Sequence, residues 1–464
     1  SSDVCSSDLL WSVPGLCELD PSSGQVILDY AILPDASPQI VFGRGLAANQ
    51  LSNAVEKIPS GVLVVVGASS SKTQSIQGVI QSIFQSARKA HLFEVQGHAN
   101  HQAIRDGIKA LHRIEASHVI VIGGGTTLDV GKAIAGLAHQ EYGQDVAPYQ
   151  TGERMIDPEK ALPWIAVPTT SGTGSESTNN AVIELSEEKR SIRNISPPSL
   201  IIADPALTAS LPFASTAVAL VDALAQSLEV ITHAKASPET QAVALAAFLN
   251  LVWGLKTITS DQENAPTPSL ALSECDDRSR HRVNLPTSSG IAINSLTRHV
   301  LSWGSLLMGI AFAHAGLGLP HALAHFCQKF GLSHGHMVGT LLVPGLRFQA
   351  QHDPVTALRL LRVERVLAQT EQEHTLRLNL VVEEAEEKMA APLDPGTGPY
   401  LGWLEGAISK LFAQAGLAVS LSQAGLSAAD LAWIAAKEHT LGALYGIPRR
   451  KASKDQLLAV LRKA

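Results

Sequence analysis

An α/β domain followed by an all-helical one is the fold class this sequence predicts, and three observations predict it. Short β-branched runs alternate with helical stretches from Pro38 to about Leu211. Beyond about Asp204 the β-branched runs stop, and Ala, Leu and His dominate. The 464 residues exceed what one ordinary core serves and suit two domains.

The first half reads element by element. Val62 to Val66 is a continuous apolar run ending at Gly67, the pattern of a buried strand. His101 to Arg113 has helical spacing, and His118 to Ile122 (HVIVI) is a second buried strand. Val130 to Ala138 is a helix rich in Ala and Gly, and Trp164 to Val167 is a short strand. Strand and helix in this rhythm predict a parallel sheet. The second half predicts helices over Ser215–Ala234, Pro238–Leu255, Ser305–Phe330 and Ala428–Ala436. The last has Ser427 as N-cap and Asp430 in its first turn.

The Asp204–Pro205 turn sets the expected boundary, with an α/β domain over 21–204 and a helical domain over 205–464. Residues 1–20 open with SSDVCSSDL, a near-repeat foreign to the rest, and are taken as a fragment edge or scar. Thr257 to Arg298 is rich in Ser, Thr, Pro and Asn without a period, and Gln369 to Tyr400 is acidic, then Pro/Gly-rich. Long aperiodic stretches sit badly inside a compact domain, so 257–298 is read as an atypical insertion, with a disordered loop or a sequence error as the alternatives.

Composition narrows the function classes. Hydrophobic residues make up 45% and charged residues 17%, which is a globular balance. The net charge of -7 and the absence of Lys/Arg runs argue against nucleic acid and a polybasic membrane patch. Cys5, Cys17, Cys275 and Cys327 form neither CxxC pairs nor a disulfide framework, which suits a reducing compartment. No apolar run near 18 residues or signal-peptide pattern is evident, so a cytoplasmic protein without membrane spans is expected.

Three motifs carry chemistry. GGGTTLDVGK, Gly123 to Lys132, follows a strand and opens a helix. Its glycines let backbone approach a phosphate, and the helix start offers free N–H groups and a positive dipole end. It matches neither GxGxxG nor a GK[ST] phosphate loop. PTTSGTGSEST, Pro168 to Thr178, follows the strand WIAV and places five hydroxyls and two glycines between Thr169 and Ser175. Such a loop can donate to ribose and phosphate oxygens. The third group lies in the helical half. Asp222 and Gln226 share a helix face, as do His321 and His325, with His334 and His336 close behind. A carboxylate plus imidazoles from separate helices suits a divalent cation.

These stretches resemble the iron-containing alcohol dehydrogenase family, which includes glycerol dehydrogenase and maleylacetate reductase. The resemblance rests on VFGRG (41–45), GGGTTLDVGK, PTTSGTGSE, ADPALTASLP (203–212), VDALAQSLE, GIAFAHAGLGLPHALAH (309–325), SHG (333–335) and GIPRRKAS (446–453), in family order. It implies the dehydroquinate synthase-like fold, with a dinucleotide-binding α/β domain, a helical domain and the active site between them. It assigns Gly123, Gly124, Gly125, Thr126 and Asp129 to the cofactor pyrophosphate. Thr169, Thr170, Thr173 and Ser175 go to its ribose and nicotinamide, and Lys189 to the cofactor side. Asp222, Gln226, His321 and His334 are the implied metal ligands, for Fe²⁺ or Zn²⁺. His325, with His321, is the implied catalytic pair, His325 as a proton relay. The expected reaction is hydride transfer between a nicotinamide and a small alcohol or aldehyde, in a homodimer or larger assembly.

Two departures matter. Gln226 stands where metal-dependent members carry His, and an amide is the weaker ligand. DAL-Q with SHGH also resembles the phosphonoacetaldehyde reductase branch, and maleylacetate reductase-like members need no metal. Gly67 stands where NAD-preferring members carry Asp. With Ser69, Ser70 and Lys72 beside it, the resemblance implies NADP(H) over NAD(H). A dehydroquinate-synthase-like lyase and a non-catalytic nucleotide-binding relic are the other readings. The lyase is disfavoured by the few Lys/Arg near the histidines.

Overall fold

The computed structural model of the chain describes residues 13, 17–20, 23–28, 38–185, 188–260, 292–372, 399–437 and 452–464. Cys5, Cys275, most of GIPRRKAS and the centres of the two aperiodic stretches lie outside them.

A six-stranded parallel sheet organises the first half. Its strands are β3 (Gln39–Phe42), β4 (Gly61–Gly67), β5 (Lys89–Val95), β6 (Ala116–Gly123), β7 (Trp164–Pro168) and β10 (Leu200–Ala203). The spatial order is β3-β10-β7-β6-β4-β5, every pair parallel. Hairpins β1–β2 (Cys17–Leu19, Val26–Leu28) and β8–β9 (Ala181–Leu185, Glu188–Ile192) form two small antiparallel sheets.

Alternation along the central strands buries both faces. Val62, Val64 and Val66 of β4, with Ile120 and Ile122 of β6, face helices α1 (Ala47–Val55) and α2 (Gln74–Ser86). Leu63, Val65, Val119 and Val121 face α3 (His101–Ile114) and α4 (Gly125–Leu137). Both faces covered is what a parallel sheet requires. The α3/α4 side continues without a break into the apolar interior of the helical half.

After the short α5 (Ala147–Thr151) and the last strand, the chain is helical. It runs through α6 (Phe213–Thr232), α7 (Pro238–Ser260), α8 (Ser295–Phe312), α9 (Leu319–Ala324), α10 (His334–His352), α11 (Pro354–Gln372), α12 (Pro399–Gln414), α13 (Ala428–Ala435) and α14 (Lys454–Leu461). An α/β portion and an all-α portion are the expected fold class. Ser427 caps α13 in a capping box with Asp430. The single helix expected over Ser305–Phe330 is instead α8, a turn, α9 and a 3-10 turn at Cys327–Phe330. Gly316 and Gly318 interrupt the run, and Pro320 is tolerated only in a first helical turn.

α6 and α7 are long and apolar enough to cross a membrane by length and composition, contrary to the expectation of no such run. Their apolar windows are 83% and 78% buried inside the fold, where core helices of the same composition belong.

Candidate active site

The strand order reverses between β4 and β6, which lie side by side while β5 and β7 extend the sheet in opposite directions. In an open parallel sheet the crevice past the carboxyl ends of the strands at such a point is where ligands bind. Gly67, Gly123 and Pro168 end β4, β6 and β7 there, so both expected loops leave the sheet at this edge.

The two loops touch. Thr169 N–H donates to Gly123 O at 3.0 Å. A Cβ on Gly124 would come within 2.9 Å of the Thr170 side chain, and one on Gly125 within 2.7 Å of Thr173. Only bare backbone therefore fits between them. Gly124 is the N-cap of α4 and brings no capping side chain, which suits the first turn of α4 to a phosphate. Thr126 is exposed on that turn. A nicotinamide dinucleotide fits these features.

Other residues expected at the cofactor are engaged within the protein. Asp129 is buried, accepting from Ser175 Oγ at 2.5 Å and from Val182 N–H at 3.1 Å. It also pairs with Lys132 at 3.1 Å. Lys132, fully buried, donates further to Ser175 O at 2.9 Å and Thr178 Oγ1 at 3.1 Å. Burial lowers the Lys132 pKa, against the attraction of Asp129. The Asp129 carboxylate and Ser175 hydroxyl thus brace the hydroxyl loop against α4, a role the motif alone does not reveal. Thr169 is also buried, while Thr170 and Thr173 lean on the glycine loop.

The hydroxyl loop also reaches the helical half. A Cβ on Gly172 would meet Ala219 of α6 at 2.8 Å. Gly174, at φ +60°, lies so close to Gly309 of α8 that a Cβ would meet its Cα at 2.5 Å. Ala219 precedes Asp222 by about one helical turn, so the cofactor-side loop abuts the helix that carries the expected metal ligands.

Those ligands converge. Ligand atoms of Asp222, His321 and His334 lie within 4.8 Å of one another. The rings of His321 and His334 are 5.3 Å apart. Gln226 Nε2 donates to Asp222 Oδ2 at 3.2 Å, and among the described residues Gln226 Oε1 has no partner. Asp222 Oδ1 and His321 Nε2, 3.4 Å apart, are also buried without a hydrogen bond among the described residues. Buried polar atoms are nearly always paired, so three converging orphans beside a histidine describe a cation cradle. The donor set, one carboxylate, two imidazoles and one amide oxygen, fits a divalent ion.

Electrostatics mark the pocket as one that attracts positive charge: at neutral pH His321 carries a proton, which a bound cation would displace. Burial lowers the His321 pKa, but the carboxylates of Glu229 and Asp222 overcome it and push the ring up to about 10. His334 is pushed down to about 3 by burial, with Asp222 opposing and His321, Lys189 and His325 adding to it. Its lone pair is thus available at neutral pH. The same influence places Lys189 and His325 near His334.

At the other end of the crevice, Gly67 sits against Thr127, whose Oγ1 a Cβ would approach to 2.8 Å. Ser69 and Lys72 are exposed and Ser70 half-buried. No acid stands in Gly67–Lys72, yet the fold supplies one. Glu94, on the neighbouring β5, accepts from Ser71 Oγ at 2.5 Å. Another residue that the spacing did not reveal is Glu229, two turns beyond Asp222 on α6, bound to His321 Nδ1. Its only signal was an acid among the apolar residues of a core helix.

Comparison with known proteins gives this geometry a context. Residues 37–205 match the sequence model of the iron-containing alcohol dehydrogenases. The chain is 28% identical over 367 residues to 1,3-propanediol dehydrogenase of Klebsiella pneumoniae, covering 78% of this chain and 79% of that protein. It is 33% identical over 228 residues to long-chain-alcohol dehydrogenase 1 of Geobacillus thermodenitrificans, about half of each chain. The crystal structure of a 1,3-propanediol oxidoreductase superposes with a TM-score of 0.68 at 22% identity, covering 91% of this chain and 97% of that one.

Proposed function

Because this chain belongs to the iron-containing alcohol dehydrogenase family, whose members are alcohol and aldehyde oxidoreductases, we propose that it interconverts a small alcohol and its aldehyde at the crevice between sheet and helices. The observation that carries the proposal is the meeting of two features: orphaned donors on Asp222, Gln226 and His321, and a glycine–hydroxyl loop pair one helical turn away.

When bound, the nicotinamide carries the hydride and the divalent cation polarises the carbonyl oxygen. Asp222, Gln226, His321 and His334 would hold the cation. Asp222 is the one anionic ligand, so it contributes most of the charge that offsets the ion. Gly123, Gly124, Gly125 and Thr126 would hold the pyrophosphate through the start of α4. Thr170 and Thr173 border the path from there toward α6, and Lys189 adds positive charge beside His334. His325 would pass the proton between substrate oxygen and solvent, imidazole being the side chain suited to that near neutral pH.

The finer cofactor preference, NADP(H) over NAD(H), rests on Gly67, Ser69, Ser70 and Lys72, which leave room and a positive charge for a 2′-phosphate. Glu94 works against it. Glu94→Gln is expected to raise the preference for NADPH over NADH about fivefold, roughly 1 kcal/mol. An unchanged ratio removes Glu94 from the phosphate's surroundings. This variant is cleaner than Gly67→Asp, whose Cβ would collide with Thr127.

The deciding experiment measures NADPH and NADH oxidation by the purified protein with a panel of short aldehydes, with and without added Fe²⁺ or Zn²⁺. Turnover with at least one pair is expected. Cofactor binding without turnover on any pair would overturn the dehydrogenase reading and leave a nucleotide-binding relic.

A further inference from the structure

α6 presents Asp222, Gln226 and Glu229 at i, i+4 and i+7, one face over two turns. The first two reach the cation cradle. Glu229, 1% exposed, reaches the far side of His321. One of its carboxylate oxygens, Oε2, pairs with His321 Nδ1. The other, Oε1, accepts from Gly318 N–H at 2.8 Å and from His321 N–H at 3.3 Å. α9 has only six residues and no side-chain cap from its own N-cap residue, Gly318. Its start is instead held by Glu229, together with Gln349 Oε1, which accepts from Leu319 N–H at 3.2 Å.

A single carboxylate therefore grips both the backbone and the ring of His321. A histidine ring bound at Nδ1 by a carboxylate has its orientation fixed and its other nitrogen made a stronger donor. Among the described residues His321 Nε2 is the ring atom left without a hydrogen bond, 3.4 Å from Asp222 Oδ1.

We infer that Glu229 is a positioning residue for the cation site: it holds His321 so that Nε2 joins Asp222 and His334. The inference rests on the metal-assisted reading above. It also accounts for an ionisable side chain sealed in the interior of an apolar helix, where an unpaired charge is strongly disfavoured.

The test uses the full-length protein stripped of metal and titrated with Zn²⁺ by calorimetry and with Co²⁺ by visible absorption. Glu229→Gln has one carbonyl oxygen and one amide where Glu229 has two acceptors. If its oxygen keeps the two backbone N–H groups, its amide can only donate to Nδ1, which puts the ring's proton on Nε2, the atom a cation would need. Zn²⁺ affinity is expected to fall about tenfold to a hundredfold, with an altered Co²⁺ ligand-field spectrum and unchanged NAD(H) affinity. Glu229→Asp, which keeps the charge on a shorter arm, should recover part of both. If Glu229→Gln fails to fold, Glu229→Asp carries the test, with a smaller loss expected. In a His321→Ala background the Glu229 substitutions should change affinity no further. Wild-type-like affinity and spectrum in the variants overturn the inference, as does a loss of equal size in the His321→Ala background, which would mark a purely structural role. Failure of the wild-type protein to bind Zn²⁺ or Co²⁺ would instead overturn the metal-assisted reading itself.

Discussion

The crevice proposed for the cofactor and the cradle proposed for the cation are built by opposite means. The crevice is made of backbone: glycines at the ends of strands, an uncapped helix start, and two loops pressed together where no Cβ fits. The cradle is made of side chains projecting from α6, α9 and α10, each aimed by packing or by a hydrogen bond. Backbone recognition is insensitive to which residue supplies the N–H, but it demands glycine where chains approach. Side-chain recognition depends on a few atoms, any of which a single substitution changes. Gln226 illustrates this: its amide offers the cradle an oxygen where an imidazole would offer a nitrogen.

The comparison makes predictions that separate the two sites. The largest effect is expected from His321→Ala, which should lower divalent-metal affinity by at least about a hundredfold, the upper range for losing even an outer partner. NAD(H) affinity should stay within about twofold of wild type; a fall in both would show that the sites are not independent. Gly125→Val should do the reverse. Its side chain collides with Thr173, so nicotinamide affinity should drop about tenfold or more, about 1.4 kcal/mol. Bound metal, measured by elemental analysis, should remain. Gln226→His sharpens the contrast further. It should raise Zn²⁺ affinity about tenfold, since imidazole suits that ion better than an amide. No gain would mean that the residue at 226 stands outside the ligand set.

The smallest effect concerns the loop that joins the two sites. Glu176 is buried, and burial raises its carboxyl from the ordinary 4.5 to about 7, against its own backbone hydrogen bond and Lys132. The folded protein therefore holds this proton more tightly than the unfolded chain. Its contribution is full below pH 4.5 and is lost as pH rises through 7. Glu176→Gln should flatten that loss. At pH 8 its melting temperature should exceed the wild type's by a few degrees, on the order of 1 kcal/mol, and the gap should close near pH 5. A constant gap at both pH values would show that titration of Glu176 is not the cause.

Legibility from sequence followed the same division. Central strands β4, β6 and β7 announce themselves as apolar runs because both faces are buried. The edge strand β5, KAHLFEV, is mostly half-exposed and mixes charge with apolar residues, so no pattern marks it. The glycine and hydroxyl loops were readable, because glycine at a strand end has few other uses. That Asp129 and Ser175 bind each other was not readable, because a polar residue in a motif looks the same whether it faces a ligand or a neighbouring loop. Glu229 and Glu94 act on residues that only the fold brings near: His321 lies 92 positions from Glu229, and Glu94 is 23 from Ser71.

The pairing of β3 with β10 has a consequence for how the chain is made. Strand β3 finds its parallel sheet neighbour at Leu200–Ala203, and the turn after it is fastened when Gly45 N–H reaches Asp204 Oδ1, 159 positions away. During synthesis, Gln39–Phe42 emerges early and waits, without its parallel partner, until seven further strands have followed. An edge left open in this way invites pairing with other chains. Truncations that stop short of Asp204 should therefore yield aggregates rather than a smaller folded domain.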